Sequence, residues 1–223
     1  MFTTAEFPAE IPRVQTRYFS YTKPLPTIMT NIIFHSQKFE FKGISIPEFD
    51  MESGKLIRLC LPNFDSKGNS LVQSFRNELM NHFEKKIPKI KLSKEYSESG
   101  IRKFMKSLTV ENYITEKLNV VGTKSKIVAE YLELDSKEKL NNLTIGKNKT
   151  LAIKCDFEKY DILIFDYYGV SANEIAYLER IVDAEIIKGK CGIAIDRLEF
   201  NQNEETNKNI ERIKITVGNT VYN

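Results

Sequence analysis

Cysteine is scarce. Cys60, Cys155 and Cys191 stand far apart, without a Cys-x-x-Cys spacing. Each sits in an apolar stretch, so the three read as small buried hydrophobes in a reducing compartment and not as a disulfide framework. Histidine is scarcer still. His35 and His82 are the only two, and neither has a second His or a Cys at ligand spacing, so no metal site is expected. Charge of one sign is also missing: 33 Lys and Arg face 30 Asp and Glu, a formal net charge of +3. With the signs interspersed, this balance argues against a dedicated nucleic-acid binder. No run of about 18 apolar residues occurs, and the first residues lack a basic segment followed by an apolar one. A cytoplasmic protein is therefore expected, one that reaches the inner face of a membrane only through a partner. No Gly-x-Ser-x-Gly elbow supports a serine nucleophile.

What remains is an ordinary globular composition, 41% hydrophobic and 28% charged over 223 residues, enough to bury a sizeable core. Residues 1–26 mix Pro8, Pro12, Pro24 and Pro26 with five aromatic residues, which disfavours helix and reads as an extended arm. From residue 27 the pattern becomes strand-like, with Ile32-Ile33-Phe34, Phe39-Glu40-Phe41 and Ile44-Ser45-Ile46 broken by Lys42-Gly43. This predicts a small antiparallel β region. Lys55–Leu61 is a further strand. Leu71, Phe75, Leu79 and Phe83, at fourfold spacing, predict a helix beyond the polar turn 62–70. Helical patterns at Ile101–Leu108, Val110–Leu118 and Ser125–Leu134 form an α-helical block over about 97–140. Asn148–Phe157 reads as helix, Asp161–Asp166 as a buried parallel strand, and Ala172–Ile187 as a helix capped by Ser171 and ending near Gly189. Cys191–Ile195 is another buried strand, and Ile210–Tyr222 predicts a closing hairpin turning at Gly218-Asn219. Continuous apolar strands alternating with helices indicate an α/β core with a mainly parallel sheet. The basic stretch Lys85–Lys91 reads as a solvated connection.

A strand, a polar turn and a helix in that order make a place where backbone N–H groups can hold phosphate. Here the turn is Phe64-Asp65-Ser66-Lys67-Gly68-Asn69-Ser70 after Pro62-Asn63. Further on come Ser107-Leu-Thr-Val-Glu-Asn112, the loop Leu143-Thr144-Ile145-Gly146-Lys147 opening a helix, the strand Asp161-Ile-Leu-Ile-Phe-Asp166 followed by Tyr167, and Gly169-Val-Ser-Ala-Asn173. Gly189-Lys-Cys-Gly-Ile-Ala-Ile-Asp196-Arg197 and the terminal strand pair complete the series. In order and spacing, residues 30–223 resemble the nucleotide-binding domain of ABC transporters.

The resemblance implies a P-loop NTPase-like fold spanning 27–223, with a mainly parallel core sheet, a small antiparallel β region and an α-helical insertion. It also implies a degenerate nucleotide site at Asn63, Lys67, Gly68, Asn69, Ser70, Asp166 and Tyr167, and a signature-like loop at Thr144, Gly146 and Lys147. Asn69 stands where the family has its phosphate lysine, and Phe64 stands where it has a glycine. Tyr167 replaces the catalytic glutamate, the metal-sensing glutamine is absent between Gln73 and Gln202, and Asp196 or Arg197 stands near the switch histidine position. A tyrosine carries no carboxylate base at neutral pH. The expectation is a non-catalytic subunit without catalytic residues, metal or cofactor. Its implied partner is another ABC subunit or a membrane permease, with a homodimer as the alternative and no nucleic acid. A divergent active enzyme using Lys67 and Asp196 with Mg²⁺-ATP is the second reading, and a stand-alone interaction protein on the same fold is the third.

Overall fold

The computed structural model describes residues 31–65, 67–87, 89–97, 108–120, 122–197, 207–217 and 220–222. The arm expected over 1–26, nearly all of the helix expected at Ile101–Leu108, and the turn residues Gly218 and Asn219 lie outside them.

Four short strands come first: β1 (Ile32–Ser36), β2 (Phe39–Phe41), β3 (Ile44–Ile46) and β4 (Phe49–Glu52). β1 pairs antiparallel with β4. β2 and β3 form a hairpin through Lys42 and Gly43, both at positive φ (47° and 78°), the backbone that matches the right-handed twist of the flanking strands. Then follow β5 (Leu56–Leu61), α1 (Leu71–Phe83), β6 (Ile90–Leu92), α2 (Val110–Leu118), α3 (Thr123–Tyr131) and a 3₁₀ turn at Leu140–Asn142. α4 (Ile145–Lys159), β7 (Ile162–Asp166), α5 (Ala172–Ile187) and β8 (Cys191–Arg197) come next. The chain closes with β9 (Ile210–Ile213), β10 (Ile215–Val217) and β11 (Thr220–Tyr222).

The central sheet has the order β6-β7-β8-β5-β9, and every pairing in it is parallel. All six residues of β5 and all five of β7 are buried. This is what an uninterrupted apolar run means in a sheet covered on both faces. On one face, Ile57, Leu59, Ile164, Ile193 and Ile195 pack against the α1 stripe of Leu71, Val72, Phe75, Leu79 and Phe83, together with residues of β2, β3 and β4. Each such side chain contributes about 1.5–3 kcal/mol by leaving water. On the other face, Leu56, Leu163, Phe165 and Ala194 meet Ile153 and Phe157 of α4 and Leu178, Val182 and Ile186 of α5. At Gly192 a Cβ would sit 2.6 Å from the Leu163 carbonyl oxygen, so the close approach of β8 to β7 requires glycine there.

The helical block has a smaller core, in which Val110, Ile114, Ala129 and Leu132 pack on Leu151 and Cys155 of α4. Thr109 caps α2 by accepting the Asn112 N–H (3.3 Å), and the helix ends at Asn119 in the left-handed region (φ 56°). The three cysteines are free and buried. β10 pairs with β3 as well as with β11, so the closing hairpin is β10–β11 and joins the antiparallel region, whereas Ile210–Ile213, expected within the hairpin, pairs parallel with β5 at the edge of the central sheet. Two strands escaped the sequence reading: β4, and β6 inside the basic stretch read as a connection. Among the described residues no helix is long and apolar enough to cross a membrane.

Candidate functional site

Parallel strands present their carboxyl ends on one edge, where the chain leaves for the covering helices and ligands of open α/β sheets bind. Here that edge gathers Leu61 and the loop after β5, Asp166 and Tyr167 after β7, and Asp196 and Arg197 of β8, which stand beside Cys60 and Leu61 in register.

The loop between β5 and α1 is closed upon itself. The Asp65 N–H donates to the Asn69 carbonyl (2.9 Å), the Gly68 N–H to the Asp65 carbonyl (3.0 Å), and the Leu71 N–H to the Asn63 carbonyl (3.1 Å). The Lys67 and Asn69 N–H groups both donate to Asp65 Oδ1, at 2.9 and 2.8 Å, and the Asn69 carboxamide adds bonds to both Asp65 oxygens. These bonds, led by the Asn69 N–H, hold the Asp65 carboxyl below the usual aspartate range. Phe64 bridges Ser70 across the loop and is itself exposed. Gly68, at φ 79°, makes the turn. Lys67, Gly68, Asn69 and Ser70 are all exposed. Ser70 is the backbone N-cap of α1 but makes no side-chain capping bond, and Asn63 keeps a buried Oδ1 without a partner.

Asp166 is buried and fully engaged. Arg76 Nη1 of α1 pairs with its Oδ2, Lys149 Nζ of α4 pairs with its Oδ1, and the Tyr168 N–H donates to Oδ1 at 3.0 Å. Lys149 also donates to the Asp166 carbonyl (3.4 Å). The Asp166, Lys149 and Arg76 side chains are 2%, 6% and 11% exposed, so this is a buried triad joining three elements. Two cations satisfy the carboxylate and offset the cost of its desolvation, and loss of either charge type leaves the other uncompensated.

Tyr167 points into the core. Its ring lies edge-on to Phe165 at 5.8 Å between centroids, and the Arg58 guanidinium sits 5.4 Å from its own centroid. Burial pushes its hydroxyl well above the ordinary tyrosine pKa, so it neither accepts a proton from water nor offers a face for a base. Tyr168 donates its hydroxyl to the Leu61 carbonyl at 3.0 Å. Asp196 accepts the Arg197 N–H at 2.8 Å and lies 3.9 Å from Arg58, which pairs with Glu179 at 2.7 Å. Burial raises the Asp196 carboxyl above the usual range.

The signature-like loop is tied down locally. Thr144 is the N-cap of α4, accepting the Lys147 N–H at 3.3 Å, and its hydroxyl donates to Glu174 Oε1. Ser171, expected to cap α5 with its side chain, instead donates to Glu174 Oε2 at 2.7 Å. The Thr144 hydroxyl, foremost, lowers the Glu174 pKa. A Cβ at Gly146 would lie 2.7 Å from Glu174 Cδ, so glycine here serves the packing of α4 on α5. Lys147 is exposed.

The site residues that sequence reasoning missed are Arg76, Lys149 and Glu174. Arg76 falls among Val72, Phe75 and Leu79 on the helix, and Lys149 directly precedes the apolar run Thr150-Leu-Ala-Ile153. A lone cation beside an apolar stripe was the available signal.

Mg²⁺-ATP, which only the second reading requires, would meet groups already engaged within the protein. The loop amides that would meet phosphate are turned onto the loop's own oxygens, with Asp65 as a built-in anion. The Asp166 oxygens that would face a metal are taken by Arg76 and Lys149.

No family model matches the chain, and no curated protein matches it. Solved structures do. An ABC transporter ATP-binding protein from Pyrococcus furiosus superposes with a TM-score of 0.52 at 14% identity, over 82% of this chain and 96% of that one. A nucleotide-free ATP-binding cassette from an ABC transporter gives 0.53 at 15% identity, over 86% and 88%. The archaeal ribosome recycling factor aABCE1, solved with the ribosomal stalk protein aP1, gives 0.52 at 15%, over 80% of this chain and 36% of the factor. The chain thus has the fold of an ABC ATP-binding domain, as its sequence order implied.

Proposed function

Taking that fold as the premise, we propose that this chain is a catalytically degenerate ABC-type subunit. It acts as a scaffold or regulatory component beside an active ABC subunit or a membrane permease. The observation that carries the reading is the β5–α1 loop, in which the amides of residues 65, 67, 68, 69 and 71 all bond within the loop. A loop that spends its donors internally gives phosphate charge no seat. Asp166, locked between two cations at the end of β7, supports the same reading. The proteins it resembles are described as parts of ABC transporters, which supports an assembly of that kind as the setting.

The competing reading is a divergent ATPase using Lys67 and Asp196. A phosphate-release assay with Mg²⁺-ATP separates the two. The degenerate reading expects release at the background rate, unchanged in Lys67→Ala and Asp196→Asn. Turnover above background that either substitution abolishes establishes the ATPase instead.

A further inference from the structure

A groove of about 370 Å³ lies between α1, β6 and α2, lined by Asn77, Met80, Asn81, Lys91, Leu92, Lys94 and Lys117. Its volume falls within the range of about 300–1,000 Å³ typical of small-ligand sites. Three lysines line it: Lys91 from β6, Lys94 from just beyond that strand, and Lys117 from α2. Lys117 is half spent, since its Nζ is 3.0 Å from the buried Asp156 Oδ1. Lys91 lies 5.7 Å from the Tyr160 ring centroid, and Lys94 is exposed and pairs with no carboxylate among the described residues. On the α1 wall, Asn77 and Asn81 stand four residues apart and so share one helix face. Met80 and Leu92 add apolar surface between the polar groups. The basic stretch 85–91 thus ends in a strand that delivers its last lysine to a cavity.

Three lysines, of which Lys94 alone has no partner among the described residues, with two carboxamides and an apolar patch around one groove, are complementary to a ligand with anionic ends and a short carbon skeleton. We infer that this groove binds a small organic anion carrying carboxylate or phosphate groups. The groove is lined by none of the residues that define the degenerate nucleotide site, so the inference stands apart from the proposed function.

The test follows the side-chain amide signals of Asn77 and Asn81 in ¹⁵N-labelled full-length protein during titration with 2-phosphoglycolate, and separately with a hexaglutamate peptide. The expected result is a saturable shift of both amides below about 1 mM 2-phosphoglycolate. Lys94→Glu weakens the binding at least tenfold, while Lys126→Glu, an equal change of charge on the exposed face of α3, leaves it unchanged. Three results overturn the inference: no saturable shift, equal weakening by both substitutions, or saturation by hexaglutamate alone, which makes the groove a seat for an acidic protein segment. Shifts at Gly68 and Asn69 instead report on the β5–α1 loop and bear on the proposed function, so the two failures are told apart.

Discussion

At the scale of single residues, Asp166 is held by two cations of the protein itself. Its carboxylate answers Arg76 from α1 and Lys149 from α4, so it contributes to stability through charges that never leave the protein. Asp166→Asn leaves the buried Lys149 without its carboxylate and Arg76 with only Glu95 at 3.9 Å, and the expected loss is about 3 kcal/mol of unfolding free energy at neutral pH, measured by urea denaturation without added metal. A loss under about 1 kcal/mol contradicts the buried triad. The strand ending in Asp166 was legible because four apolar residues in a row, Ile162 to Phe165, between two aspartates have few other homes. Its partners were not, because Arg76 and Lys149 lie 90 and 17 residues away and each alone reads as a solvated charge. The departures from the family's phosphate loop, Phe64 and Asn69 among them, were visible as residues. That Asp65 would gather the loop's own amides was not, since a hydrogen-bonded turn is written in backbone angles that Gly68 permits without dictating.

Elements are joined by the same kind of contact. α4 and α5 share Glu185, which accepts from Lys154 and Lys188, both at 2.7 Å, and whose side chain is 3% exposed. Burial raises the carboxyl pKa, but the hydrogen bonds from the two lysines outweigh that and hold it below its ordinary value of 4.5. A carboxyl depressed in the folded state adds stability above its unfolded pKa and loses it as pH falls through the folded one. Stability of the native chain therefore falls below about pH 4.5 as this group takes up its proton. Glu185→Gln is expected to be about 2 kcal/mol less stable at pH 7, since Lys154 keeps Glu158, and to lose less on acidification. Denaturation midpoints from pH 7 to pH 3 check both statements, and parallel curves for the two proteins contradict them. The helices α1, α2, α4 and α5 followed from fourfold spacing, apolar periodicity and start signals. β4 and β6 did not, because strands of three or four residues carrying Asp50 or Lys91 at alternate positions show too short a pattern to separate from a polar connection.

For the whole molecule, the order of elements carried more than any motif. Strand, loop and helix follow one another in the order of the resemblance, and the strands assemble into the parallel β6-β7-β8-β5-β9 sheet. The core rests on the buried faces of β5, β7 and β8 and the helices over them. Unfolding in the presence of ligand tests whether internal partners close the strand-end edge to nucleotide. A ligand at about a hundred times its dissociation constant stabilises a fold by roughly 2.7 kcal/mol. The account predicts that millimolar Mg²⁺-ATP leaves the thermal unfolding of this protein unchanged. A rise in midpoint that saturates with nucleotide and disappears when Mg²⁺ is withheld contradicts it.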